Sequence, residues 1–123
     1  MMLCSLLLVG TGSFAGGILR YLLSLWLKPQ SEHFPLGTLA ANLAGCLLIG
    51  LFYGISARNS SFSREWLLLL TTGFCGGFTT FSTFSNEGLA LLQGGNHLTF
   101  AFYLCVSLVG GLLAVLLGYH LAG

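Results

Sequence analysis

Four apolar stretches, each long enough to cross a bilayer, occupy nearly all of this 123-residue chain. A helix needs roughly 20 largely apolar residues to span the hydrocarbon core. The stretches run from about Leu3 to Leu27, Pro35 to Ala57, Glu65 to Gln93 and Leu98 to Leu121. Only short polar connections remain: Lys28-Pro29 to Phe34, Arg58 to Arg64, and the turn signal Gly94-Gly95-Asn96-His97. The reading is an all-α integral membrane protein, multi-pass, with four transmembrane helices in one domain, residues 1–123. Charge supports it. Charged residues make up 6% of the chain, against roughly 25% in a soluble domain, too few to solvate a globular surface.

The net charge of +1 offers no basic face to nucleic acid. Cys4, Cys46, Cys75 and Cys105 fall about one per helix, with no CxxC and no histidine at zinc-binding spacing. They read as buried apolar side chains. His33, His97 and His120 are scattered and form no site. The N-terminus has neither the positive start nor the small-residue cleavage site of a signal peptide, so the first helix is read as retained.

The third stretch is irregular. Its centre, Thr72-Gly73-Phe74-Cys75-Gly76-Gly77-Phe78-Thr79-Thr80, holds three glycines and three threonines in nine residues. That composition predicts a helix broken near its middle. Unpaired backbone groups in lipid cost several kcal/mol each, so a break survives only where protein buries it or where it lines a wet cavity or ion site. The alternative is an intact helix that uses its glycines for close packing. Gly12/Gly16 and Gly50/Gly54 are GxxxG pairs that let helix backbones touch.

Polar residues mark candidate functional faces. Thr38, Asn42 and Gly45 share one face of the second helix, at i, i+4, i+7. Tyr103, Ser107 and Gly110 repeat the spacing on the fourth. Asn42 needs partners at both ends of its amide. Arg20 and Glu87 lie inside apolar stretches, where a charge is either functional or reaches to the interface. The run Phe78 to Glu87 puts Phe81 and Phe84 on one helix side and Thr79, Ser82, Thr83 and Asn86 on another. Neutral donors beside ring edges, with no fixed cation among them, suit a small anion that must be able to leave. Packing of the rings is the alternative.

These residues carry a resemblance to the Fluc (CrcB) fluoride channels. It covers nearly the whole chain: Gly16 through Arg20-Tyr21, Gly37-Thr38 with Asn42 and Gly45, and above all Gly73-Phe74-Cys75-Gly76-Gly77-Phe78-Thr79-Thr80-Phe81-Ser82-Thr83-Phe84. The resemblance implies an antiparallel, dual-topology homodimer with two fluoride pores. It makes Phe81 and Phe84 the pore phenylalanines, with Asn42, Ser82, Tyr103 and Ser107 lining the pore and Thr38 on the same stripe. Arg20 falls at an aqueous vestibule and Glu87 near a pore end. A structural sodium ion would be held at the dimer centre by the backbone carbonyls of Gly76 and Thr79. The chain departs from the pattern at Gly111 and Val115, where relatives commonly carry hydroxyls. The expected function is passive, selective export of fluoride, with no catalysis, from a bacterial inner (plasma) membrane.

The lysines and arginines fit insertion both ways round. Arg58 and Arg64 lie on one face and Lys28, with Arg20 nearby, on the other, so orientation bias is slight. A small four-helix multidrug exporter would need a carboxylate in the first helix, and residues 3–27 have none. A disulfide oxidase would need paired cysteines. A non-conducting membrane scaffold leaves the Phe/Ser/Thr cluster without a reason.

Overall fold

The computed structural model describes residues 2–27 and 34–122. The stop expected at Lys28-Pro29 and the polar loop up to His33 lie outside them. The chain is helical throughout its long elements: α1 (Met2–Leu27), α2 (Leu36–Arg58), α3 (residues 64–78), α4 (Ser82–Gln93) and α5 (His97–Leu121). Together α3 and α4 form the third of four spans long and apolar enough to cross a membrane.

The helices associate in two close pairs, and glycine sets both. A Cβ on Gly12 would lie 2.5 Å from the Leu69 carbonyl oxygen, and one on Gly16 would collide with the Phe74 carbonyl, so α1 rests directly on the backbone of α3. Gly77 reciprocates against Ser13, and Gly73 against Gly12. In the second pair, Gly50 meets the Val115 backbone, Gly54 the Tyr119 carbonyl, and Gly118 of α5 the Leu47 carbonyl. Lipid is as apolar as leucine, so association depends on such backbone approach. Both GxxxG pairs therefore pack as their spacing predicts. Arg58 ties the second pair at its end: Nη1 donates to the Tyr119 carbonyl at 2.6 Å, and the guanidinium stacks 4.6 Å from that ring. A cation there also offsets the partial negative charge at the end of α5.

The third span breaks, but later than the glycine-rich sequence suggests. Residues Leu69–Cys75 widen into a π-helix, and Gly76–Phe78 return to one α-helical turn. Thr79 then turns extended (φ −87°, ψ 156°), and α4 starts at Ser82. Gly73 and Gly77 stay helical because α1 packs on them. The interruption falls at residues 79–81, where Thr79-Thr80-Phe81 is released from that packing. Both sequence alternatives hold, in adjacent segments.

The turn between α4 and α5 forms at Gly94-Gly95, as expected. Gly95 takes a positive φ of 79°, which a side chain would strain. A small core of Leu39, Leu91 and Tyr103, with Phe34, Leu43, Phe84, Phe100 and Val106 against it, joins α2, α4 and α5. The cysteines depart from expectation. Cys75 is buried and Cys46 half-buried, but Cys4 and Cys105 face outward. Outward from a membrane helix is hydrocarbon, where a thiol is as well placed as in a core.

Candidate functional site

The break is held by side chains rather than left open. Asn42 grips Thr80 from both sides: its Nδ2 donates to the Thr80 carbonyl at 3.0 Å, and the Thr80 N–H donates to its Oδ1 at 2.7 Å. Both ends of the amide find partners. Thr80 Oγ1 accepts from the Thr83 N–H at 3.3 Å, starting α4, and the Thr79 hydroxyl donates back to the Cys75 carbonyl. Arg20 Nε donates at 3.3 Å to the Gly77 carbonyl, near the end of α3 where the backbone dipoles leave partial negative charge.

Those contacts free two carbonyls. In an unbroken α-helix the Gly76 carbonyl would accept from the Thr80 N–H, and the Thr79 carbonyl from the Thr83 N–H. Here the first N–H goes to Asn42 and the second to Thr80 Oγ1. Gly76 and Thr79 both line a narrow cavity of about 300 Å³ beside the break.

Most of the predicted site converges on that cavity. Asn42, Phe81, Phe84 and Ser107 line it with Gly76 and Thr79, and no lining residue is charged. The Phe81 and Phe84 rings sit 6.0 Å apart, tilted by 44°. Phe81 is 77% exposed on the single chain. Among the described residues, Ser107 Oγ is the one buried side-chain oxygen or nitrogen without a hydrogen-bond partner.

The charged residues gather in a second, wider cavity of about 650 Å³. Arg20, Glu87 and Thr38 line it, together with Tyr21, Ser24 and Thr83. Tyr103 lines neither cavity and is fully buried, in contact with a wall residue of each. Its hydroxyl donates to Glu87 Oε1 at 3.2 Å, and its ring lies 5.0 Å from Phe84. Ser82 is exposed on α4 and is brought to neither cavity.

Two lining residues take places the sequence reading did not assign: Thr83, named there on the polar face of the run, lines the wide cavity, and Cys46, read there as a buried apolar side chain, lines the narrow one. Thr83 precedes Glu87 by one turn, and that spacing marks it. Cys46 follows Asn42 by one turn and lines the narrow cavity. It also stands where the polar face of α5 ends: a Cβ on Gly111 would meet Cys46 Sγ at 3.4 Å.

The family described as CrcB-like protein, Camphor Resistance (CrcB), matches residues 7–119. A protein of Leptospira interrogans serogroup Icterohaemorrhagiae is 48% identical over 120 residues, covering 97% of this chain and 91% of its own. One from Phocaeicola vulgatus is 49% identical over 115 residues, covering 93% and 94%. One from Serratia proteamaculans is 46% identical over 120 residues, covering 98% and 94%. Each of the three bears the name fluoride-specific ion channel FluC.

Proposed function

The chain belongs to the CrcB-like family, a multi-pass membrane family of ion channels, and from that premise we infer that it is a fluoride-specific channel that lets the ion leave the cell passively. The observation that carries the mechanism is the unpartnered Ser107 hydroxyl. It lies in a cavity walled by the Phe81 and Phe84 rings and without a fixed charge. A buried hydroxyl without a partner costs about 1–3 kcal/mol. An anion passing through supplies an acceptor for it. Ring edges present the positive part of the aromatic quadrupole to the same ion. Fluoride is small and strongly hydrated, so closely spaced donors must replace its water. Without a lysine or arginine in the narrow cavity, the ion is not trapped there.

Export needs only a gradient. Hydrogen fluoride enters cells neutral, ionises inside, and the anion cannot cross lipid alone. A negative interior then drives fluoride out through the pore. Arg20 and Glu87 act in the wide cavity as a vestibule, where Arg20 raises the local anion concentration. Ser82 would meet the ion only where a second subunit completes the wall.

The assembly we propose is an antiparallel homodimer with dual topology, in a bacterial inner membrane. The exposed Phe81 ring supports a second subunit, because a ring meant to face an ion needs an opposite wall. Arg58 and Arg64 against Lys28 and Arg20 give little orientation bias. Sodium at the dimer axis fits the freed carbonyls of Gly76 and Thr79, a neutral oxygen pair that a second copy would double. That ion would hold the two breaks together and take no part in conduction.

The test is efflux from liposomes loaded with potassium fluoride or potassium chloride. Fluoride should leave on addition of valinomycin and chloride should stay. Equal efflux of the two would overturn the reading. Phe81→Ile should abolish fluoride efflux while the protein elutes as wild type. Labelling a single C-terminal cysteine from outside intact cells should modify about half the copies, since near-zero charge bias leaves both orientations populated.

A further inference from the structure

A third cavity, of about 530 Å³, lies at the opposite end of α1 from Arg20, between the start of α1, the end of α2 and the start of α3. The channel reading gives it no task. Arg64 and Glu65 both line it, and neither has an ion-pair or side-chain hydrogen-bond partner among the described residues. They cannot satisfy each other, because adjacent side chains on a helix do not face one another. The cavity therefore offers one cation and one anion, held apart. Tyr53 at its edge and the neighbouring Trp66 are both exposed. Exposed Tyr and Trp at a helix end belong at the depth of lipid headgroups. Away from the charges the wall is mostly apolar, with Leu8, Leu67 and Leu68 beside the hydroxyl residues Ser5, Thr71 and Thr72.

We propose that this groove binds phosphatidylethanolamine. The phosphate pairs with the Arg64 guanidinium, whose planar fork suits a phosphoryl group. The primary ammonium donates to the Glu65 carboxylate, and an acyl chain lies along the leucines. Charge complementarity selects this headgroup. Phosphatidylglycerol offers Glu65 no cation. Phosphatidylcholine has a cation but no N–H to donate. Free phosphate would satisfy Arg64 alone and leave the apolar wall uncovered.

The test uses purified full-length protein in detergent micelles doped with palmitoyl-oleoyl phosphatidylethanolamine, phosphatidylglycerol or phosphatidylcholine, with retained lipid counted by native mass spectrometry. Wild type should keep phosphatidylethanolamine about threefold over phosphatidylcholine, the scale of one exposed ion pair. Glu65→Gln should erase that preference, and Arg64→Gln should reduce retention of all three. Inorganic phosphate should not displace the bound lipid. Both variants change exposed polar groups, and unchanged fluoride efflux would show that they fold. Equal retention of the three lipids by wild type, a preference for phosphatidylglycerol, displacement by phosphate, or a preference that survives Glu65→Gln would each overturn the proposal.

Discussion

The wide cavity around Arg20 and Glu87 and the narrow one around Phe81 and Ser107 are linked through Tyr103, whose hydroxyl meets Glu87 and whose ring meets Phe84. They are built on opposite principles. The wide cavity places full charges where water can reach them, so its field attracts ions and is screened by salt. The narrow cavity has no charged lining residue, and its polarity comes from one amide, the hydroxyls of Thr79, Thr80 and Ser107, two thiols and the freed carbonyls. The first can gather an anion without holding it, and the second can strip an anion of water without trapping it. A single chamber with Arg20 beside Phe81 would bind fluoride and conduct poorly.

The largest effect should come from the wall the narrow cavity cannot lose. Asn42→Ala removes both partners of Thr80, leaving a donor and an acceptor unpaired at about 1–3 kcal/mol each. Thermal unfolding in detergent should show a loss of about 2–6 kcal/mol, with fluoride efflux abolished. An unchanged melting point would mean that the break closes without Asn42. Gly76→Val should separate flux from fold. A Cβ there meets only the Thr71 carbonyl oxygen, at 3.8 Å, so a single chain accommodates it, yet the added bulk enters the narrow cavity and the face proposed for the partner. Efflux and dimer yield should fall while helical content holds. The same change at Gly16, against the Phe74 backbone, should prevent folding.

Ser107→Ala should move stability and flux in opposite directions. It deletes an unpartnered buried hydroxyl, so the protein should gain about 1 kcal/mol while fluoride efflux slows. A simultaneous loss of both would mean that the hydroxyl is satisfied within the fold and is no ion donor. The smallest effect belongs to the wide cavity. Arg20→Gln should lower the fluoride rate by less than about tenfold, and the deficit should vanish in molar salt, where screening acts within about 3 Å. A deficit that persists in high salt would show that Arg20 acts through its bond to Gly77 rather than through its field.

Much of this contrast was legible in the sequence. Charge poverty fixed the environment, and apolar length fixed the number of spans. The need of Asn42 for two partners was foreseeable from its chemistry, although not the identity of Thr80, which lies 38 positions away. The break was legible as a tendency of residues 72–80. Its position was not, because intrinsic preference cannot reveal that α1 would press Gly12 and Gly16 onto α3 and keep those glycines helical. Arg20 and Glu87 read as a vestibule pair from resemblance, and the fold does bring them to one cavity.

What the sequence determined by itself follows from local rules: a backbone in lipid must bond within its own segment, which yields helices wherever about 20 apolar residues run together. Small residues one turn apart mark where those helices touch. What only the tertiary structure decided is which polar groups remain unspent. Asn42 is consumed by Thr80, Tyr103 by Glu87, and Arg20 in part by Gly77, while Ser107 and the Gly76 and Thr79 carbonyls are left facing a cavity. Hydrogen-bond partners are chosen by distance in space, and distance across a membrane bundle is set by packing that no single segment encodes.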